Sequence, residues 1–347
     1  MTIWVCCMFL TLMVMLLLGY PVAFTLGAVA LLYGSIFLGL DFFQLLPLQI
    51  WGVMTNFILL AVLLFVFMGI ILDKSGLAED LLETMSQLFG RVRGGLALSV
   101  VIVGALLAAT TGVVGASVVT MGVIALPTML KRNYSAALAS GTIAAAGTLG
   151  QIIPPSIVLI LLGDIMGVPV GRLFMAAAIP GLLLVLMFLI YITFIAWLRP
   201  AIAPALNVKN DKNLIGKVMF SLVSPLVLVF GVLGSIFFGI ASPTESAAVG
   251  ALGAMLLAAA HSQLTIENLQ EATRQTVHLT SMVFLILIGA TIFGLVFRGM
   301  GGDRIIMELM TNIPGRTCGF IAVSMILIFL LGFSSIFYKY VLLSYLF

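Results

Sequence analysis

The chain has 347 residues, of which 63% are hydrophobic and 8% are charged, and its formal net charge is +3. A soluble protein of this length could not bury so much apolar surface, so the composition indicates an integral membrane protein. The small net charge gives no reason to expect nucleic acid as a partner. Nine windows of at least 21 residues contain no Asp, Glu, Lys or Arg. Because a span needs roughly 20 apolar residues and several windows are long enough for two passes, we expect roughly ten membrane elements, all helical.

The first apolar segments predict plain membrane helices over residues 1–18, 21–40 and 53–72. A turn at residues 19–21 separates the first two helices. The first segment has no basic start and leads directly into the second. It therefore predicts a retained helix rather than a cleaved signal peptide.

Residues 76–92 form the first segment of mixed character. Leucine, methionine and phenylalanine recur there at helical spacing, with Glu79, Asp80 and Glu83 between them. This pattern predicts an amphipathic helix that lies at the membrane interface and acts as an arm between membrane helices. An ordinary connector between two helices is the alternative interpretation.

Helix breakers interrupt the uncharged window 94–130. Thr110, Thr111 and Gly112, and then Gly115, divide it into two arms of about 14–18 residues, each slightly short for a full span. We therefore expect a re-entrant hairpin, which enters the membrane, turns at a Thr/Gly tip and returns. A single kinked helix is the alternative.

A second break falls inside the next uncharged window. Gly147, Gly150, Pro154 and Pro155 lie too close together for a continuous helix, because proline removes a backbone donor and its ring clashes with the carbonyl one turn back. In hydrocarbon, a freed carbonyl is costly unless something satisfies it. Broken helices survive where their backbone is buried in protein or lines a polar cavity, and transporters bind substrates and ions there. We expect one broken helix over 136–165.

The chain also repeats itself. Residues 21–28 align with 243–251, and further on the offset settles at 225 residues. Internal repeats, commonly inverted, are typical of secondary transporters. The aligned pairs are glycines, a glutamate, a Gly-Arg dipeptide and a serine: Gly69 with Gly294, Gly76 with Gly301, Glu83 with Glu308, Gly90-Arg91 with Gly315-Arg316, Gly94 with Gly319, and Ser99 with Ser324.

The repeat divides the chain into three parts. We expect a first repeat over residues 1–198, a linker over 199–216 and a second repeat over 217–347. Residues 199–217 carry four basic residues and one acidic residue. The positive-inside rule therefore places this linker in the cytoplasm.

Four runs of residues carry a resemblance to a known family. With them, the chain over about 1–333 resembles the large membrane subunit of TRAP transporters, the tripartite ATP-independent periplasmic transporters, of the DctM type. The runs are Gly-Ala-Ser-Val-Val-Thr-Met-Gly (115–122), Gly-Thr-Leu-Gly-Gln-Ile-Ile-Pro-Pro-Ser (147–156), Ile-Pro-Gly (179–181) and Ser-Pro-Thr-Glu-Ser-Ala-Ala-Val-Gly (242–250).

The resemblance implies an all-α polytopic protein of the elevator type, with two inverted repeats, re-entrant hairpins and broken helices, in the bacterial inner membrane. It implies a sodium-coupled secondary transporter that imports a small carboxylate, such as a C4-dicarboxylate. A periplasmic substrate-binding protein of the DctP type would deliver the acid, and a small membrane subunit of the DctQ type would pack against this chain. Sodium is the coupling ion, and neither another cofactor nor a transition metal is expected.

Sodium takes oxygen ligands, and broken helices offer carbonyl and hydroxyl oxygens together with helix dipoles. Packing by small residues is the alternative for each hydroxyl. For Glu245 we favour a structural role, because Ser-Pro-Thr-Glu is also typical of a helix start. The candidate ion and substrate residues are Thr110, Thr111, Gly112, Gly115 and Ser117 in the hairpin, Gly147, Thr148, Gly150, Pro154, Pro155 and Ser156 in the break, and Pro243, Thr244 and Glu245 in the second repeat.

Other functions are less favoured by the sequence. It contains no HExxH, Walker A or GxSxG motif, so we do not expect an enzyme. A channel, or the permease half of an ATP-driven importer, is one alternative. In the 225-residue register, the counterpart of the broken helix would lie beyond Phe347. We therefore expect a second repeat that is incomplete in its hairpin, with a frameshifted or early ending at 338–340, and an inactive remnant that inserts without transporting is the other alternative.

Overall fold

The structure is a computed structural model, and it describes residues 2–111, 114–205, 214–311, 318–326, 328–330 and 332. These residues form helices and their connections, with no strand among them. The all-α prediction is therefore confirmed. The endings discussed above, at residues 338–340 and at Phe347, lie outside the described residues.

Fourteen α-helices are named along the described chain. Short 3₁₀ turns occur at Leu40–Leu45, Leu149–Gln151 and Pro200–Ile202. The sequence did not predict the first of these turns or the short helix that follows it. The helices are α1 (Thr2–Leu17), α2 (Val22–Phe37), α3 (Leu46–Met54), α4 (Phe57–Lys74), α5 (Leu77–Phe89), α6 (Gly95–Thr111), α7 (Val114–Lys131), α8 (Ala136–Thr148), α9 (Ile157–Met166), α10 (Val170–Leu198), α11 (Leu214–Phe237), α12 (Pro243–Ala260), α13 (Ile266–Gly299) and α14 (Gly302–Thr311).

Several helices have the length and composition of membrane spans. In the part of the chain that the structure describes, α4, α10, α12 and α13 each have at least 18 residues with few charges, and most of the remaining helices are apolar over part or all of their length. A polytopic membrane protein is confirmed by these helices. The total of roughly ten membrane elements stays a prediction.

The chain divides into two compact units. Residues 1–56 with 281–347 form the first unit, and residues 57–280 form the second. Inside the first unit, α1, α2 and the end of α13 pack around a buried cluster that includes Met8 and Val296. Inside the second unit, a larger cluster of buried side chains joins α5, α6, α7, α8 and α10. The predicted broken helix and hairpin both belong to the second unit.

Helix α5 occupies the predicted amphipathic segment. Its apolar face, with Leu77, Leu81, Leu82 and Met85, is buried, and α5 contacts α6 and α11. The acidic residues Glu79, Asp80 and Glu83 are exposed. The apolar face is therefore covered by protein, which favours the connector interpretation for this side of the helix.

The start of the predicted linker is attached to the second unit. The backbone N–H of Gly94, just before α6, donates to the carbonyl of Ala203 at 3.0 Å, and that of Ser135, just before α8, donates to the carbonyl of Ile202 at 3.1 Å. Ala203 is fully buried. The connections that begin α6 and α8 therefore meet the end of α10 at one end of the unit. Residues 206–213 of the linker lie outside the described residues.

One turn recurs in the 225-residue register. Gly76 precedes α5 with φ +74°, and its partner Gly301 precedes α14 with φ +81°. Both glycines therefore adopt a left-handed conformation that other residues rarely accept, and each leads from an apolar helix into an amphipathic one. The repeat boundaries themselves stay a prediction.

Candidate functional site

Helices α6 and α7 form a hairpin rather than one kinked helix. A Cβ atom built on Gly104 of α6 would lie 2.6 Å from the Cβ of Ala146, and one built on Gly147 would lie 3.1 Å from the Cα of Val118 in α7. In a continuous helix, residues 104 and 118 would be about 21 Å apart. Because they meet adjacent residues of α8, the chain must turn back between them.

The open ends of the hairpin also meet. The Tyr134 hydroxyl, just after α7, accepts a hydrogen bond from the backbone N–H of Leu96 at the start of α6, at 3.3 Å. Burial raises the pKa of the Tyr134 phenol, which stays protonated at neutral pH. The predicted tip, Gly112 with residue 113, lies outside the described residues, as do the side chains of Thr110 and Thr111 and the exposure of Gly115.

The break after α8 is also present where the sequence predicts it. Helix α8 ends at Thr148, a 3₁₀ turn covers Leu149–Gln151, and α9 begins at Ile157. The Pro154–Pro155 peptide bond between them is cis. The Ser156 hydroxyl donates to the carbonyl of Gln151 at 2.8 Å, so it bridges the two sides of the break.

The break packs against the hairpin. The end of α8 contacts α6 through Ala146 and α7 through Gly147, and the 3₁₀ turn after it contacts both arms. Leu149 is fully buried. The arms of the hairpin are therefore in contact with the broken helix, and a contact of the hairpin tip with 147–156 stays a prediction. The glycines permit it, because a larger side chain at either position would hold the helices apart.

The predicted residues of the break differ in exposure. Gly147, Gly150, Pro154, Pro155 and Ser156 are buried, and so is Ser117 of the hairpin. Thr148 is exposed, and its hydroxyl donates to the carbonyl of Ala145 at 2.8 Å. Donating a proton leaves the oxygen lone pairs of Thr148 available.

The segments that form the hairpin and the helix break carry no acidic residue. The sequence has no acidic residue between Glu83 and Asp164, and its basic residues there lie at or beyond the open ends of the hairpin arms. Backbone carbonyls, hydroxyl groups and the Gln151 amide are therefore the polar groups that the hairpin and the break supply. The oxygen atoms of such a set can hold a monovalent cation.

The second-repeat candidates have a local structural role. The Ser242 backbone N–H donates to Glu245 Oε2 at 2.7 Å, and the Glu245 N–H donates to Ser242 Oγ at 3.3 Å. This capping box confirms the structural interpretation of Glu245 at the start of α12. Pro243 and Thr244 line a separate cavity of about 500 Å³, where the Thr244 hydroxyl donates to the carbonyl of Phe57 at 3.3 Å.

Sequence reasoning missed one polar contact to the hairpin. The Thr120 hydroxyl of α7 donates to Asp73 Oδ2 at the end of α4, at 3.3 Å. The neighbouring Lys74 forms an ion pair with Glu271 of α13 at 2.9 Å. The signal in the sequence was the position of Asp73, which ends a long uncharged window. That position identifies the end of a helix and not the partner of its carboxylate.

Comparison with known proteins gives a consistent result. Residues 9–346 match the family described as "Tripartite ATP-independent periplasmic transporter, DctM component". Among similar proteins, the sialic acid TRAP transporter large permease protein of Vibrio cholerae is 30% identical over 81% of this chain and 65% of its own length. The C4-dicarboxylate TRAP transporter large permease protein of Pseudomonas aeruginosa is 30% identical over 73% of this chain and 59% of its own. The ectoine TRAP transporter large permease protein of Halomonas elongata is 30% identical over 80% of this chain and 65% of its own length.

The chain thus spans less than two thirds of the length of each of these relatives. The family match nevertheless covers nearly the whole chain, and it includes the hairpin and the broken helix. These segments are the ones whose packing the structure describes. The protein therefore belongs to the DctM family, the large membrane permease subunits of TRAP transporters.

Proposed function

We propose that the protein is the membrane subunit of a secondary transporter that imports a small organic acid together with sodium. The observation that carries the proposal is the packing of the helix break at 149–156 against the hairpin arms α6 and α7. A break in an apolar helix leaves carbonyls without helical partners. In a membrane such groups are tolerated where they line a cavity or bind an ion.

Sodium fits the groups around the break better than a divalent or soft metal would. The sequence has no Asp or Glu between Glu83 and Asp164. Among the described residues, no three His, Cys, Asp or Glu side chains form a cluster that could hold a metal ion. Carbonyl and hydroxyl oxygens around an unwound backbone are the ligands that secondary transporters use for sodium. The helix starting at Ile157 directs its N-terminal dipole toward the break, and a dipole of that sign favours an anionic substrate.

The names of the relatives support a substrate class for this proposal. Similar TRAP permeases are named for sialic acid, C4-dicarboxylates, isethionate or ectoine. Most of these compounds are anions at neutral pH, so we expect this protein to carry an organic anion, with a carboxylate as the first choice. We also propose a periplasmic binding protein and a small membrane subunit as its partners, and the bacterial inner membrane as its location.

The test is uptake into vesicles. The protein would be reconstituted in proteoliposomes with its small membrane subunit and its binding protein, and labelled organic acids would be supplied outside. An inward sodium gradient should drive accumulation, and removal of the gradient should abolish it. ATP inside the vesicles should have no effect. Accumulation that follows ATP instead would indicate the permease half of an ATP-driven importer, and equilibration without accumulation would indicate a channel.

A further inference from the structure

A second cavity, outside the hairpin site, lies between α8 and α10. It has a volume of about 600 Å³ and is lined mainly by apolar side chains, with Val101 of α6 behind it. Small residues of α8, including Gly141 and Ala145, face the larger Phe188 and Ile192 of α10. The volume is within the range of pockets that hold small ligands, roughly 300–1,000 Å³.

One end of this groove is positively charged. Arg199, the residue that ends α10, belongs to its lining and is exposed. The backbone bonds from Gly94 to Ala203 and from Ser135 to Ile202 bring two further connections to this end of the unit. Those connections contribute Arg91, Arg93, Lys131 and Arg132.

The segment that lines the groove is poor in acidic residues. The helices and connections that line the groove come from residues 94–205, and the only acidic residue in that range is Asp164. Asp164 lies in α9, close to the beginning of α10, whereas Arg199 lies at its end. The two are separated by the length of α10, roughly 40 Å. The one acidic residue of this segment is therefore distant from Arg199.

We infer that this groove binds an anionic phospholipid of the cytoplasmic leaflet, with one acyl chain between α8 and α10 and its phosphate group at Arg199. Basic residues mark the cytoplasmic ends of membrane helices, and basic pockets between membrane helices on that side bind anionic headgroups. An apolar groove that ends at an exposed guanidinium matches both parts of such a lipid. The site is independent of the transport proposal, because none of its lining residues belongs to the helix break or the hairpin tip.

The first test is lipid binding measured by native mass spectrometry of the purified protein, titrated with phosphatidylglycerol and with phosphatidylcholine of the same chain length. Arg199→Gln should weaken phosphatidylglycerol binding about fivefold, the effect of one basic residue near the surface, and should leave phosphatidylcholine unchanged. Arg199→Lys should retain most of the binding. Arg172→Gln, at the opposite end of α10, removes the same charge and is the matched control.

The second variant tests the acyl chain. Gly141 lines the groove, and a Cβ there would meet nothing within 4 Å, so Gly141→Leu places apolar atoms in the space proposed for the acyl chain. It should weaken both lipids, whereas Gly122→Leu, also in open space but outside the groove, should weaken neither. Equal effects of Arg199→Gln and Arg172→Gln would overturn the proposal. So would unchanged binding by Gly141→Leu, or full competition by soluble glycerol phosphate, which would indicate a headgroup site without an acyl chain.

Discussion

Gly147 determines how closely α8 approaches the hairpin. A methyl group there would clash with Val118 Cγ2 and lie 3.1 Å from the Val118 Cα, so α7 would have to move. We expect Gly147→Ala to destabilise the protein by about 1–3 kcal/mol, the usual cost of overpacking. Gly122→Ala in α7 is the control, since its methyl group meets nothing within 4 Å. It should be neutral or stabilising by about 0.5–1 kcal/mol. Thermal unfolding in detergent measures both, and equal melting temperatures would contradict the packing described here.

The bond between Thr120 and Asp73 links the second hairpin arm to α4. Thr120→Val removes the donor, and Asp73→Asn weakens the acceptor. If the two side chains interact, the double variant should be less destabilised than the sum of the single ones, with a coupling of about 0.5–3 kcal/mol. Thr193→Val, whose hydroxyl bonds within α10, should combine additively with Asp73→Asn. If both pairs of substitutions are additive in thermal unfolding, the contact between Thr120 and Asp73 contributes nothing to stability.

At the residue scale, the sequence predicted roles that depend on near neighbours. The capping role of Glu245 follows from the Ser-Pro-Thr-Glu order, because donor and acceptor are three residues apart. The bond from Ser156 to the carbonyl of Gln151 was not predicted. It depends on the path of the backbone through the break. The Asp73–Thr120 contact spans 47 residues, and nothing local identifies its partner.

At the scale of elements, the left-handed turn that recurs at Gly76 and Gly301 is open to a direct test. Gly76 and Gly301 have φ +74° and +81°, and alanine in that region costs about 1–2 kcal/mol. Gly76→Ala and Gly301→Ala should each lower the melting temperature. Gly294→Ala, inside α13 and with open space around its Cβ, should not lower it. Tolerance of alanine at only one of the two turns would show that they are not equivalent.

The hairpin and the broken helix were predictable elements, because both depend on Gly and Pro, whose backbone effects are local. The elements that surround α5 could not be predicted from the sequence. Its sequence predicts an apolar face, and both a lipid interface and a protein surface accept such a face. In the structure α6 and α11 cover it. Periodicity within one helix does not identify what covers that helix.

At the scale of the whole molecule, the first compact unit is built from two segments that are distant in the sequence. Residues 1–56 pack with 281–347, which no repeat boundary indicates. Helices such as α1 and α2 are apolar on all sides, so no stripe of their sequence distinguishes a protein neighbour from lipid. The sequence therefore did not predict which helices pack together, although its composition predicted the helices themselves.

We propose that the hairpin and the helix break together hold sodium. The most direct measurement is equilibrium binding of radioactive sodium to the purified protein, with potassium as competitor. We compare the wild type with Thr148→Val and with Thr193→Val, since both hydroxyls are exposed and bond to a carbonyl of their own helix. The account predicts saturable binding by the wild type and by Thr193→Val, and at least tenfold weaker binding by Thr148→Val, about 1.4 kcal/mol for one lost oxygen ligand. Equal sodium affinity in all three proteins, or no sodium-specific binding in any, would contradict it.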